Sequence, residues 1–162
     1  MKTTDTLDYE TNSSYTLTIL STDAGGLTYS KDFTINITNV NEAPTDITLS
    51  ANTVNENVSI GTEVGTFSSS DVDNGDTFTY SIITTNVPFT IENNKLKTTD
   101  NLDYETNTSY TLSVLSTDAG GLTFSKDFII KVNNLIESSN DLKSYIDNLI
   151  ENDSSLEHEA MT

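Results

Sequence analysis

Three features of the 162-residue sequence predict an all-β sandwich. Apolar and aromatic residues alternate at period two, short Asp-, Asn- and Gly-rich turns separate those runs, and a segment recurs at the spacing of one sandwich module. The recurrence carries the most weight. Lys2 to Val40 returns as Lys97 to Leu135, 95 residues later, with roughly three-quarters of the aligned positions identical. That period matches a seven-stranded Greek-key module of about 100 residues and exceeds any helical solenoid repeat. Residues 1–41 are therefore read as the C-terminal half of one module, 42–135 as a complete module, and 136–162 as an amphipathic helix with an acidic tail.

Within the complete module, TFTYSII (77–83), SYTLSVLS (109–116) and DFIIKVN (127–133) show the clearest alternation. Tyr110, Leu112 and Val114 are expected to face one core, and Phe128, Ile130 and Val132 to face it from the next strand. The turn DAGG (118–121) joins the two as a hairpin. Shorter strands near Ile47–Leu49, Glu63–Phe67, Phe89–Ile91 and Lys95–Lys97 complete the expected seven. After Asn134 the period changes. Leu142, Tyr145, Ile146, Leu149 and Ile150 recur at helical spacing, with Ser139 or Asn140 as the cap.

The net charge is −18, from 25 acidic residues against 7 basic ones, all lysine. Such a surface repels nucleic acid and anionic membranes and attracts cations. No cysteine is present, so disulfides and thiolate metal sites are excluded and an extracellular version needs another staple. No apolar run has the length of a membrane span or a signal peptide core.

The acids recur at loop positions: Glu56 in VNENV; Asp71, Asp73 and Asp76 in DVDNGD; Asp8 and Glu10, then Asp103 and Glu105, in the two LDYE segments; Asp23 and Asp118 in STDAGG; and Glu42 in NVNEAP. Calcium takes about six to eight oxygen ligands, and clustered carboxylates, amides and carbonyls at converging strand ends meet that need. DVDNGD is not an EF-hand loop, because its glycine is fifth rather than sixth and Ile82 occupies the place of the closing glutamate. Asp76 alone reads as a solvated turn residue. His158, the single histidine, sits in the acidic tail without a nucleophile or second ligand, so neither a catalytic triad nor a zinc site is supported, and no enzyme activity is expected.

Taken in order, these motifs resemble the cadherin repeat and its bacterial cadherin-like relatives. LDYE is similar to the family's L-D-R-E box, DVDNGDTFTYSI to its D-x-D-x-G segment, STDAGG to its A-x-D-x-G turn and NVNEAP to its acidic linker. The resemblance covers roughly residues 2–135. It implies three calcium ions clamped between successive modules, straightening the array into a rod. In this sequence the implied ligands are Asp8 and Glu10 from the first unit, Asn39, Asn41 and Glu42 from the linker, and Asp71, Asp73 and Asp118 from the second unit. Asn39 stands where the family has Asp, so the affinity is expected at the weak end of roughly 10⁻⁴ to 10⁻³ M. Tyr9 and Tyr104 replace the family's Arg and are expected to pack over the loop.

A distal set, Glu56, Asp103 and Glu105, faces a linker that reads NLIESS, where Ile136 replaces Asn41 and Ser139 replaces Pro44. That site is expected to be weak or empty. The resemblance thus implies a calcium-binding, extracellular or cell-surface adhesion or stalk module, and the lack of Arg with the Asn-rich composition suggests a bacterial source. Its partners would be other repeats of the same protein and a surface protein or glycan. A polysaccharide-binding module, with Phe78, Tyr80 and Phe89 as candidate platform residues, and a calcium-independent spacer are the alternatives. Because residues 1–41 lack a front half in this sequence, a domain-swapped homo-oligomer is also expected.

Overall fold

A computed structural model describes residue 3, residues 6–138, 142–147 and 149–150. The described residues form ten strands: β1 (Ser14–Thr22), β2 (Thr28–Asn36), β3 (Asp46–Leu49), β4 (Thr53–Asn55), β5 (Glu63–Ser70), β6 (Thr79–Ile82), β7 (Phe89–Glu92), β8 (Lys95–Thr98), β9 (Ser109–Thr117) and β10 (Thr123–Asn133). Strands β3 to β10 make two four-stranded sheets, ordered β4-β10-β9-β6 and β3-β5-β8-β7, while β1 and β2 pair as a separate hairpin. The predicted all-β sandwich is the fold observed.

Alternation places Leu112 and Val114 of β9 and Ile130 and Val132 of β10 on one inner face. Ile47, Val64, Phe67, Phe89 and Leu96 line the opposing sheet. Phe67 locks the layers together, stacking on Tyr80 and meeting Phe128 edge-on, each at 5.5 Å between centroids. Phe89 meets Tyr110 edge-on at 5.4 Å. Such pairs add about 0.5–1.5 kcal/mol beyond area burial. Lys126 bridges the sheets at their margin, donating from Nζ to Asp46 Oδ1 at 2.7 Å and to the Ile47 carbonyl at 2.8 Å.

The sandwich has eight strand segments rather than the seven expected, because the first strand divides between sheets. Its first part, β3, pairs antiparallel with β5; its second part, β4, pairs parallel with β10. Gly65 permits the change. A Cβ there would lie 2.5 Å from the Ala51 carbonyl oxygen, so only glycine allows the crossing chain to pass, and the β5–β8 register shifts at this position. Strand β10 begins earlier than read from sequence and β6 is shorter at both ends.

The two copies of the repeated hairpin share one register, Ser14 opposite Asn36 and Ser109 opposite Lys131. Their surroundings differ. Val114 and Ile130 are completely buried, whereas their counterparts Ile19 and Ile35 are 48% and 42% exposed. Sheet β3-β5-β8-β7 covers the second hairpin, and the inward face of the first lies open. Residues 142–147 and 149–150 are helical, with Leu142, Tyr145, Ile146, Leu149 and Ile150 exposed. The cap residues Ser139 and Asn140, and the tail with His158, lie outside the described residues.

Candidate metal centre

The loops at the start of the sandwich are built by side chains that turn the backbone on themselves. In the first LDYE, Asp8 Oδ1 accepts from the Glu10 amide at 3.0 Å, and Oδ2 accepts from Thr11 Oγ1 at 2.9 Å. Asp103 repeats the arrangement with Thr106 Oγ1 at 2.7 Å. The Thr11 and Thr106 bonds hold both carboxyls below their ordinary range. The STDAGG turn is fixed likewise, with the Leu122 amide donating to Asp118 Oδ1 at 2.8 Å.

The linker 39–42 lies across these loops. Asn39 Nδ2 donates to Asp73 Oδ1 at 2.8 Å, the Glu42 amide to Asp73 Oδ2 at 2.9 Å, and Asn41 Nδ2 to Asp118 Oδ2 at 2.9 Å. Gly120 makes the last contact possible, since a Cβ there would lie 2.5 Å from the Asn41 amide carbon. Burial pushes the Asp118 carboxyl up, but the bonds from Asn41, Leu122, Gly121 and Gly120 outweigh it and the net shift is downward.

Two acidic groups converge here. Glu10, Glu42 and Asp73 each bring an oxygen within 4.8 Å of the others, and so do Asp71, Asp76 and Asp118. That span equals two calcium–oxygen bonds of about 2.4 Å laid end to end. Glu10 and Asp73 also line a cleft of about 660 Å³ with Tyr9, Asn39, Asn41 and Asp76. Asp8 lines a neighbouring cleft with Glu10, Asn39 and Glu42, though its own oxygens are taken by the turn.

Glu42 Oε2, Asp71 Oδ2 and Asp76 Oδ2 are buried and receive no hydrogen bond. A carboxylate oxygen withdrawn from water without a donor is costly, and divalent cations, one at each of the two acidic groups, are partners that would satisfy them. Burial raises the Glu42 pKa, and repulsion from Glu10, Asp73, Asp8 and Asp71 raises it further. The donor set is all oxygen, as calcium requires. The residues fit the ion.

The distal set is differently engaged. Oxygens of Glu56, Asp103 and Glu105 also lie within 4.8 Å of one another. Glu56 is 1% exposed, and both of its oxygens accept backbone bonds, from Tyr104 at 2.8 Å and from Leu135 at 2.7 Å. Glu105 Oε1 accepts from Asn134 Nδ2 at 3.0 Å. Glu56 thus ties the LDYE loop to the end of β10.

Sequence alone assigns Asp76 to a solvated turn, whereas its Oδ2 is buried and the side chain stands beside Asp71 and Asp118. The available signal was its place in DVDNGD, five residues after Asp71, with Gly75 folding the loop back.

The cadherin domain model matches residues 51–133, just over half of the chain. The chain belongs to the cadherin family. Among solved structures, this cadherin is similar to PcdhgB3 EC1-4, with a TM-score of 0.68 and 28% identity over 80% of this chain and 33% of that one. Human protocadherin-24 EC1-2 aligns at a TM-score of 0.64 and 21% identity, covering 80% of this chain and 70% of that one. Mouse cadherin-23 EC22-24 aligns at 0.62 and 20%, covering 82% and 46%. The chain spans a third of the length of PcdhgB3 EC1-4. Cadherin domains are extracellular adhesion repeats and are generally not enzymes. No helix among the described residues is long and apolar enough to cross a membrane.

Proposed function

We propose that this cadherin chain is a calcium-binding module of an extracellular adhesin or stalk, with calcium at the junction between residues 1–41 and 42–135. The observation that carries the reading is the set of buried carboxylate oxygens without donors on Glu42, Asp71 and Asp76. When bound, the ion supplies positive charge that offsets the mutual repulsion of the junction acids. The chain's own residues do the rest. Asp8 and Glu10 come from the first unit, Asn39, Asn41 and Glu42 from the linker, and Asp71, Asp73 and Asp118 from the sandwich. Joining three segments to one ion turns a hinge into a fixed joint, and a ligand of the folded ends stabilises them by mass action.

The distal group, Glu56, Asp103 and Glu105, is a weak or empty site in this reading, since the linker that follows it reads NLIESS, with Ile136 in place of Asn41 and Ser139 in place of Pro44. Residues 136–162 follow the module, and among them 142–147 and 149–150 are helical. Its partners are neighbouring repeats of the same protein and a surface protein or glycan. The open face of the first hairpin supports self-association. Of the platform candidates Phe78, Tyr80 and Phe89, the rings of Tyr80 and Phe89 pack against Phe67 and Tyr110, which disfavours a polysaccharide platform.

Melting the chain in millimolar calcium, in excess EGTA and in magnesium tests the proposal. A calcium-specific rise of several degrees is expected, and a midpoint that is identical in all three solutions would refute it.

A further inference from the structure

Asp76 is not among the residues that the family resemblance assigns to the junction, and the turn it makes with the Thr77 amide engages only one of its oxygens. We infer that Asp76 is a calcium ligand in its own right, completing with Asp71 and Asp118 an inner pocket that replaces the charge missing at Asn39. The inference rests on the calcium reading above and extends it to a residue outside that resemblance.

Asp71 and Asp76 are each anchored through one oxygen, whereas Asp118 accepts through both, from Leu122 and Asn41. Asp76 Oδ1 accepts from the Thr77 amide at 3.0 Å and Asp71 Oδ1 from the Asp73 amide at 3.1 Å, leaving the two Oδ2 atoms buried and without a donor. One oxygen of each, together with one from Asp118, falls within 4.8 Å of the others. Asp100 shows what an ordinary turn aspartate does. It accepts from the next amide in the same way, at 2.8 Å, but it is exposed and belongs to no acidic group.

No lysine among the described residues pairs with these acids: the ion pairs join Lys95 to Glu63, Lys97 to Glu92 and Lys126 to Asp46. The linker offers amides to Asp73 and Asp118, but none to Asp71 or Asp76. Three carboxylates held this closely, two of them with a buried bare oxygen, are electrostatically matched by a divalent ion of calcium's size.

Asp76→Asn keeps the side-chain volume and the oxygen that accepts from Thr77 while removing the charge. In calorimetric titration of the full chain with calcium, this variant should bind about tenfold more weakly or worse. Its melting midpoint in EGTA should rise, because repulsion in the pocket is relieved. Asp100→Asn should change neither. Unaltered calcium affinity and stoichiometry in Asp76→Asn, with binding lost in Asp71→Asn, would overturn the inference and leave the junction reading standing. A wild-type chain that takes up no calcium would overturn both. The carboxyl ¹³C resonance of Asp76 in the wild-type chain is a test independent of any variant. It should shift with the same calcium midpoint as Asp71, and a resonance that stays fixed through saturation overturns the inference.

Discussion

The junction acids are held in place by local chemistry that works without an ion, and two of them show opposite electrostatic consequences. Asp118 is pushed up by burial but pulled down further by four donors, whereas Glu42 has burial and four neighbouring acids all acting upward. A carboxyl raised in the fold contributes stability below its ordinary pKa of 4.5 and loses that contribution as pH rises through the folded value. Ionised Glu42 therefore costs stability at neutral pH in calcium-free solution. Glu42→Gln should raise the melting midpoint in EGTA at pH 7, and the gain should vanish on acidification below that ordinary value. In calcium the sign reverses, because the variant loses a ligand. A midpoint lowered by Glu42→Gln in EGTA would contradict this. The loop acids were legible in the sequence because their motifs recur at turn positions. Asp76 carried only the local signal of its place in DVDNGD, since the burial of its Oδ2 beside residues 71 and 118 is set by loops distant in sequence.

At the scale of elements, the repeated hairpin provides an internal control. Strands β1–β2 and β9–β10 share their register and their cross-strand bonds, Thr18 Oγ1 to Asp32 Oδ1 and Ser113 Oγ to Asp127 Oδ1, each 2.6 Å. Only the second is covered. Lys126 reaches across to Asp46, while its counterpart Lys31 rests over the Phe33 ring at 5.3 Å. Ile130→Ala should cost about 2–5 kcal/mol, the usual range for a fully buried isoleucine. Ile35→Ala, at the same place in the first copy, should cost less than about 1 kcal/mol. Equal losses by denaturant unfolding would mean that the first hairpin is also covered in solution. The long alternating strands and the tight turn between β9 and β10 were readable from sequence. Strand β4 was not, because three residues carry no periodicity and its parallel partner β10 lies far away in the chain, beyond a crossing that depends on Gly65.

For the molecule as a whole, the chain has one front layer, β3-β5-β8-β7, and two hairpins able to pack on it. Exchange of hairpins between two chains leaves one hairpin bare per chain, as does the closed monomer. The apolar face that includes Ile19, Phe33 and Ile35 is then available for contact between copies. Light scattering should show concentration-dependent association that Phe33→Ser with Ile35→Ser abolishes without changing the main melting transition. A wild-type chain that stays monomeric at high concentration would contradict this. If the loops, the linker and the first unit meet on calcium, anomalous diffraction from crystals grown in millimolar calcium should show peaks bounded by Glu10, Glu42, Asp71, Asp73 and Asp118. Ordered, well-defined carboxylates there with no anomalous density between them would contradict it.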